Sequence, residues 1–250
     1  MLTDAHCHPF DLQAYFPGAE EERRRLGVMC AASASTLEEF EYCEGLVNNV
    51  PLLPCFGVHP QQLSMNNEQF TMTEVLDELA SGGRLAAVGE TGFDLFNASF
   101  RESEKAQDEV FAVHLEIALR YELPLVIHVR RAMHKIFAHA GMLKKCRAVV
   151  FHSWPGTMGE GQALLGRGIN AFFSFGTTIM LNHRRAMQCC ALLPAERLLA
   201  ETDAPYQPLR GRDFSGYADL MEIIRTIEVL RGQTEMENII EKNFQSVFGT

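Results

Sequence analysis

The sequence lacks the marks of several large protein classes. Basic residues are few, with 22 lysines and arginines against 32 aspartates and glutamates and a formal net charge of −10. That balance excludes a broad basic face for sequence-independent duplex binding and leaves room only for a narrow basic cleft. No G-x-G-x-x-G and no G-x-x-x-x-G-K-[ST] occurs, so no nucleotide cofactor is expected. The seven cysteines, at 7, 30, 43, 55, 146, 189 and 190, are odd in number and include no C-x-x-C pair. A disulfide framework or a thiolate zinc site is therefore disfavoured, and reduced thiols point to the cytoplasm. The N-terminus carries no basic stretch, and no apolar run approaches the roughly 18 residues of a membrane span. Neither export nor membrane association is expected.

What is present is an ordinary globular composition, 47% hydrophobic and 22% charged over 250 residues. A chain of this size buries roughly 70–75% of its unfolded surface and needs no partner to hold a core, so a monomer is expected. Short apolar runs recur at 2–6, 27–33, 50–58, 84–90, 124–129, 146–153, 170–176 and 197–203, each with a helical stretch behind it. Runs such as Leu125-Val126-Ile127 and Ala148-Val149-Val150-Phe151 suit strands of a parallel sheet covered on both faces. The clearest helix spans 102–121, with Ala106, Val110, Val113, Ile117 and Ala118 as its apolar stripe, and Pro124 ends it. Thr234 and Glu237 have capping-box spacing before a last helix reaching about 247. Eight strand–helix units predict an α/β fold, a (β/α)8 TIM barrel forming a single domain over 1–250. The rival, an open doubly wound sheet, would carry a glycine-rich loop after its first strand, where this chain has His6-Cys7-His8-Pro9.

In such barrels the chemistry gathers at the C-terminal ends of the strands. Those ends here hold His6 and His8, His59, Glu90, His128, His152 and Asp203, so five of the nine histidines sit there. The i, i+2 spacing puts His6 and His8 on one face and Cys7 on the other. Singly, each has a bland explanation as a buried hydrogen-bonding group or a turn cap. Together His6, His8, Glu90, His128, His152 and Asp203 form a metal-suited donor set. Imidazoles and carboxylates without thiolates suit Mg²⁺, Mn²⁺ or Zn²⁺. The set is too large for one closed site but serves two divalent metal ions about 3.5–4 Å apart if a carboxylate is shared. Glu90, central in the ring, is the candidate bridge. By contrast His114, His134, His139 and His183 fall on helices or loops and are expected to be surface or partly buried. Cys7 and Trp154 are assigned to packing.

The ordered set of motifs resembles the TatD family of metal-dependent deoxyribonucleases, within the amidohydrolase-like metallo-dependent hydrolases. Asp4-Ala5-His6-Cys7-His8 is similar to the family's opening D-x-H-x-H, and Gly57-Val58-His59-Pro60 to its G-V-H-P. Gly89-Glu90-Thr91-Gly92-Phe93-Asp94 is similar to G-E-x-G-L-D, Pro124 to Arg130 to P-x-x-I-H-x-R, Phe151-His152-Ser153 to the family's sixth-strand histidine segment, and Glu201 to Pro205 to E-T-D-x-P. The resemblance implies one metal held by His6, His8, Glu90 and Asp203 and another by Glu90, His128 and His152. It further implies 3′-5′ exodeoxyribonuclease activity, with DNA, single-stranded or at 3′ ends, as the partner. Gln61, Arg131 and Pro9-Phe10 depart from the family pattern, which usually has His, Asp and Leu-Asp there. All three lie beside the proposed ligands, where substrate choice is set.

On this reading Asp203 and Glu90 are catalytic, Asp203 by orienting water or taking its proton, while His59 and Arg130 contact substrate. Arg130, Arg131, Lys135, Arg184 and Arg185 are candidates for local positive charge toward phosphates. Phe93, Phe96 and Trp154 are candidates for stacking on bases. Two rivals stand beside it. One is a glutamate-bridged binuclear hydrolase of a small-molecule ester, amide or phosphoester. A carbamylated-lysine bridge is disfavoured, because lysines 105, 135, 144, 145 and 242 all lie away from strand ends. The other is a silent scaffold, against which the complete ligand set argues.

Overall fold

The computed structural model describes residues 1–46, 49–64 and 69–249. Eight parallel strands follow one another in chain order within one sheet. They are β1 (Thr3–Cys7), β2 (Met29–Ala34), β3 (Leu52–Phe56), β4 (Ala87–Asp94), β5 (Leu125–Arg130), β6 (Val149–Phe151), β7 (Ala171–Phe175) and β8 (Leu198–Ala200). Each predicted run overlaps one strand, and the sheet curls into the expected (β/α)8 barrel. The chain beyond β8 returns to β1. The Asp203 amide donates to the His6 carbonyl at 3.0 Å and the His8 amide to the Ala204 carbonyl at 2.7 Å. The Asp4 carboxylate, fully buried, accepts the Thr202 amide and hydroxyl at 2.9 and 2.6 Å. Among the described residues no helix is long and apolar enough to cross a membrane.

Alternation sorts the strands' side chains into two layers. Ala5, Met29, Ala31, Cys55, Ala87, Val126, Ala148, Val150, Phe172 and Leu199 fill the barrel interior, which Phe244, Val247 and Phe248 of the last helix close off. Their neighbours, among them Cys7, Cys30, Phe56, Val88, Ile127 and Phe151, face the surrounding helices. All seven cysteines are buried and free. Following the inner parity upward, β2 leads to Ser33, β5 to His128 and β6 to His152. In β1 and β4 simple alternation would point His6 and Glu90 outward. Each of these strands has one extra residue: Asp4 and Cys7 pair with Cys30 and Ala32, and Val88 and Thr91 pair with Leu125 and Ile127. An inserted residue switches the faces of everything beyond it. His6, His8 and Glu90 thereby turn inward.

β4 also runs on to Asp94 rather than ending at Glu90 as the sequence suggested, because Gly89 and Gly92 let it press against β5. Both have positive φ, 142° and 139°. A Cβ at Gly89 would strike the Val126 carbonyl oxygen, and one at Gly92 the His128 carbonyl oxygen.

Two other sequence expectations are corrected. The helix observed as Glu104–Arg120 buries Val110, Ile117 and Ala118 of the predicted stripe together with Gln107, Phe111, His114 and Leu115, whereas Val113 of that stripe is exposed. The last helix, Met236–Phe248, starts without the Thr234–Glu237 capping box. Glu235 precedes it in a left-handed conformation, and the Met236 amide donates to the Glu228 carboxylate at 3.1 Å instead.

His114 is likewise buried completely rather than at the surface. Its Nε2 accepts the Val58 amide at 2.8 Å, and its Nδ1–H donates to the Val110 carbonyl at 2.8 Å. It therefore fixes the segment that leads to His59. Burial pushes its pKa down from 6.5 to about 4. Between those values the unfolded chain binds a proton that the folded chain refuses, so stability falls as pH drops. In chelator-treated protein, about 2 kcal/mol of the loss between about pH 7 and about pH 5 should trace to this imidazole. Urea unfolding of wild type and His114→Gln at both pH values measures it, and parallel losses in the two proteins would contradict it.

Candidate metal centre

The inward turn of β1 and β4 brings the candidate donors together at the C-terminal mouth of the barrel. His6, Glu90, His152 and Asp203 are almost fully buried, at 1%, 5%, 6% and 6% exposure. Glu90 lies between two groups, and each of its oxygens faces one of them. Oε1 is 2.9 Å from His128 Nδ1, 3.2 Å from His152 Nε2 and 3.3 Å from His59 Nε2. Oε2 is 3.1 Å from His6 Nε2 and 3.7 Å from His8 Nε2. Asp203 completes the second group, with Oδ1 3.5 Å from the Nε2 atoms of both His6 and His8. Asp203 lies three residues beyond β8 with φ of 54°, a left-handed conformation that aspartate tolerates. His6, His8 and Asp203, His6, Glu90 and His152, and His59, Glu90 and His128 each form a trio whose donor atoms lie within 4.8 Å of one another. All six predicted ligands are thus brought together, and His59, expected to face substrate, also stands within donor distance of Glu90.

The donor chemistry fits divalent cations. The Nε2 atoms of His6 and His8 face each other at 3.1 Å, a convergence of imidazole nitrogens that a cation satisfies better than a proton can. Burial would raise the Glu90 carboxyl, but His152, His59 and His6 around it hold it well below the usual range. Burial pushes His6 and His59 down, toward the neutral form that donates a lone pair, whereas neighbouring carboxylates raise His8, His128 and His152 despite their burial.

An outer layer of polar groups orients this set, as metal-binding histidines require. Glu201, fully buried, accepts His152 Nδ1–H at 3.2 Å and the Ser153 amide at 2.7 Å. Asp94 Oδ2 accepts His128 Nε2–H at 3.3 Å and the Gln61 amide group at 2.7 Å. Despite burial, those hydrogen bonds and the Phe96 amide hold the Asp94 pKa at about 2. Ser33 Oγ lies 3.2 Å from His6 Nδ1, and Gln207 donates to Asp203 Oδ2 at 2.6 Å. Sequence reading assigned none of these five residues an orienting role. For Glu201 and Asp94 a signal was available, since both are acids inside the strand-end motifs.

The donors form the floor of an open cleft of about 1200 Å³, whose rim includes Arg130, Arg184, Arg185 and Tyr206. Other rim candidates fall away. Phe93 is fully buried against Phe111, and Trp154 packs edge-on to Phe151 and Phe173, so neither is free to stack on a base. Lys135 is neutralised by Glu104 at 2.6 Å and Asp108 at 2.8 Å.

On a barrel of this kind, imidazoles gathered about carboxylates at the C-terminal mouth define a metal-dependent hydrolase. Comparison with known proteins places the chain in the TatD family, whose model, described as TatD related DNase, matches residues 3–249. The chain is 31% identical over 234 residues to the 3′-5′ ssDNA/RNA exonuclease TatD of Escherichia fergusonii, covering 87% of this chain and 86% of that one. It is 30% identical over 219 residues to the metal-dependent hydrolase YjjV of Escherichia coli, covering 84% and 82%. The crystal structure of YjjV, a TatD homolog, matches with a TM-score of 0.86 at 26% identity, over 100% of this chain and 98% of that one.

If Glu90 is shared between the two groups, Glu90→Ala should keep the barrel's far-UV circular dichroism and lose stoichiometric binding of both ions. Metal analysis after dialysis against Mn²⁺ or Zn²⁺ tests this. One ion retained per chain at wild-type affinity would show that the carboxylate serves a single group.

Proposed function

We propose that the protein is a 3′-5′ exodeoxyribonuclease that removes nucleotides from single-stranded DNA ends with two divalent ions, Mg²⁺, Mn²⁺ or Zn²⁺. The observation that carries this reading is Glu90, with one oxygen toward His6 and His8 and the other toward His59, His128 and His152. His6, His8, Glu90 and Asp203 would hold one ion and Glu90, His128 and His152 the other, with His59 on the substrate side of the second group. Ions held there supply Lewis-acid charge and acidify water. The polymeric substrate is supported by the named activity of the Escherichia fergusonii relative. It is also supported by a cleft larger than the roughly 300–1,000 Å³ of small-molecule sites.

Asp203 is the proton acceptor. His152, His8 and His6 hold its carboxyl below the usual range despite burial, and Gln207 fixes its Oδ2 while Oδ1 faces the centre. In the reaction a water oxygen bonds to phosphorus, the bond from phosphorus to the 3′ oxygen of the preceding nucleotide breaks, that oxygen takes a proton from solvent, and a 5′-mononucleotide leaves. Asp203 takes the water's proton. Glu90 holds the two donor groups in fixed relation, and Arg130 at the rim contacts the strand. One chain supplies every donor, so a monomer suffices, and seven buried thiols suit the reducing cytoplasm.

The test is a 3′-labelled and a 5′-labelled single-stranded DNA, incubated with Mg²⁺, Mn²⁺ or chelator. Wild type should release the 3′ label first as a mononucleotide, chelator should stop it, and Asp203→Asn should be slower by roughly 10²–10⁴-fold. Early release of the 5′ label would reverse the polarity. No shortening with any ion would turn the reading toward a small-molecule substrate.

A further inference from the structure

Two consecutive arginines, of which Arg130 lines the cleft, share one aromatic ring. The Arg130 guanidinium lies 3.6 Å from the centroid of Phe96, and that of Arg131 lies 4.5 Å from it. Successive residues of an extended strand point to opposite faces. Arg131 reaches the same ring because its φ is +56°, a conformation few non-glycine residues adopt and one that invites a functional explanation. It also donates to the Phe96 carbonyl at 3.4 Å. Phe96 itself is exposed, but both guanidinium groups lie at its ring, which removes it as a free platform for a base.

Among the described residues neither arginine has a carboxylate at ion-pair distance, whereas Lys135 nearby has two. Asp94, which pairs in register with Arg130, is already committed to the Phe96 amide, Gln61 and His128. Two adjacent cations with no ion-pair partner are thus held on one ring, Arg130 on the cleft lining and Arg131 beside it, in a chain of net charge −10. Stacking engages the faces of the guanidinium groups and leaves their N–H edges to bind, and those edges match phosphate oxygens.

Their placement selects which phosphate. The inner face of β5 runs from Val126 in the core through His128 at Glu90 to Arg130, so Arg130 lies one two-residue step, roughly 6.6 Å, beyond His128. Arg130 is thus the next inner-face residue outward from the donors and lines the same cleft, so a strand whose terminal phosphodiester sits at the donors carries its next phosphate past it. We propose that Arg130 and Arg131, held on Phe96, bind the phosphate on the 5′ side of the one being cleaved. The proposal rests on the nuclease reading and deepens it, since it makes recognition depend on a second charge along the strand.

The test uses a thymidine trinucleotide whose 5′ linkage is either a phosphodiester or an uncharged methylphosphonate, the 3′ linkage being cleaved. For wild type, neutralising the 5′ linkage should lower kcat/KM by about tenfold, as expected for lost hydrogen bonds to a charged group. For Arg130→Ala/Arg131→Ala it should lower kcat/KM by less than about twofold, because the charges that read it are gone. Arg131→Gln alone gives the same comparison if the double variant does not fold. Equal losses in wild type and variant would overturn the subsite while leaving the nuclease reading intact. A wild type that hydrolyses bis(p-nitrophenyl) phosphate but no oligonucleotide would overturn both.

Discussion

The centre depends on a change of parity in two strands. A barrel interior is filled by alternate residues, and that alternation continues unless something interrupts it. In β5 and β6 it delivers His128 and His152 to the mouth without help. In β1 and β4 it would have sent His6 and Glu90 outward, on the faces of Asp4 and Val88. One extra residue in each strand reverses this, and the reversal brings in the carboxylate that faces all five histidines of the centre. The glycines of the fourth-strand motif belong to the same device. Only without a Cβ can β4 lie close enough to the Val126 and His128 carbonyls for the re-aimed carboxylate to sit at the centre.

Such a site is expensive to leave unfilled. Carboxylates and imidazoles removed from water lose hydration that hydrogen bonds among themselves only partly replace. Here the imidazoles cannot all be protonated, since those of His6 and His8 meet nitrogen to nitrogen at 3.1 Å. The fold accepts this arrangement because other interactions hold it. The Asp4 carboxylate ties Thr202 across the seam between β8 and β1, His114 anchors the turn before His59, and Glu201 and Asp94 hold His152 and His128 from behind. A cation that binds only the folded, preassembled donors adds its binding free energy to stability. Metal affinity and folding stability are therefore coupled through the same groups.

The fold and the inner donor set were legible in the sequence because both rest on strong, repeated signals. Eight apolar runs fix eight strands, and the histidines and acids at their ends are too many and too alike for packing. What lay one layer out was less legible. Glu201 and Asp94 read as motif letters, but nothing in the chain shows that one accepts from His152 and the other from His128. Those pairings are made by strands distant in sequence. The aromatic and basic candidates failed for a related reason. Phe93 lies inside the lengthened β4 and Trp154 follows β6, and both side chains turn to the outer core, while Lys135 is met by Glu104 and Asp108 from a neighbouring helix. A capping-box spacing at Thr234 likewise gave way when Glu235 took a left-handed turn and Glu228 supplied the acceptor.

These failures share a cause that bears on specificity. Residues on the inner face of a barrel strand are constrained by parity and closure, so their destination can be computed from position. Residues at the rim are placed by loops, and a single left-handed dihedral, as at Arg131, is enough to redirect a side chain. The inner donors therefore establish hydrolysis, while the rim decides what is hydrolysed. In a chain this acidic, unpaired arginines at the mouth provide a local field opposite in sign to the whole. A polyanion would be repelled by the net charge of the chain and accepted along that cleft mouth. Such a surface favours a strand end threaded in from one side over a duplex lying across a face.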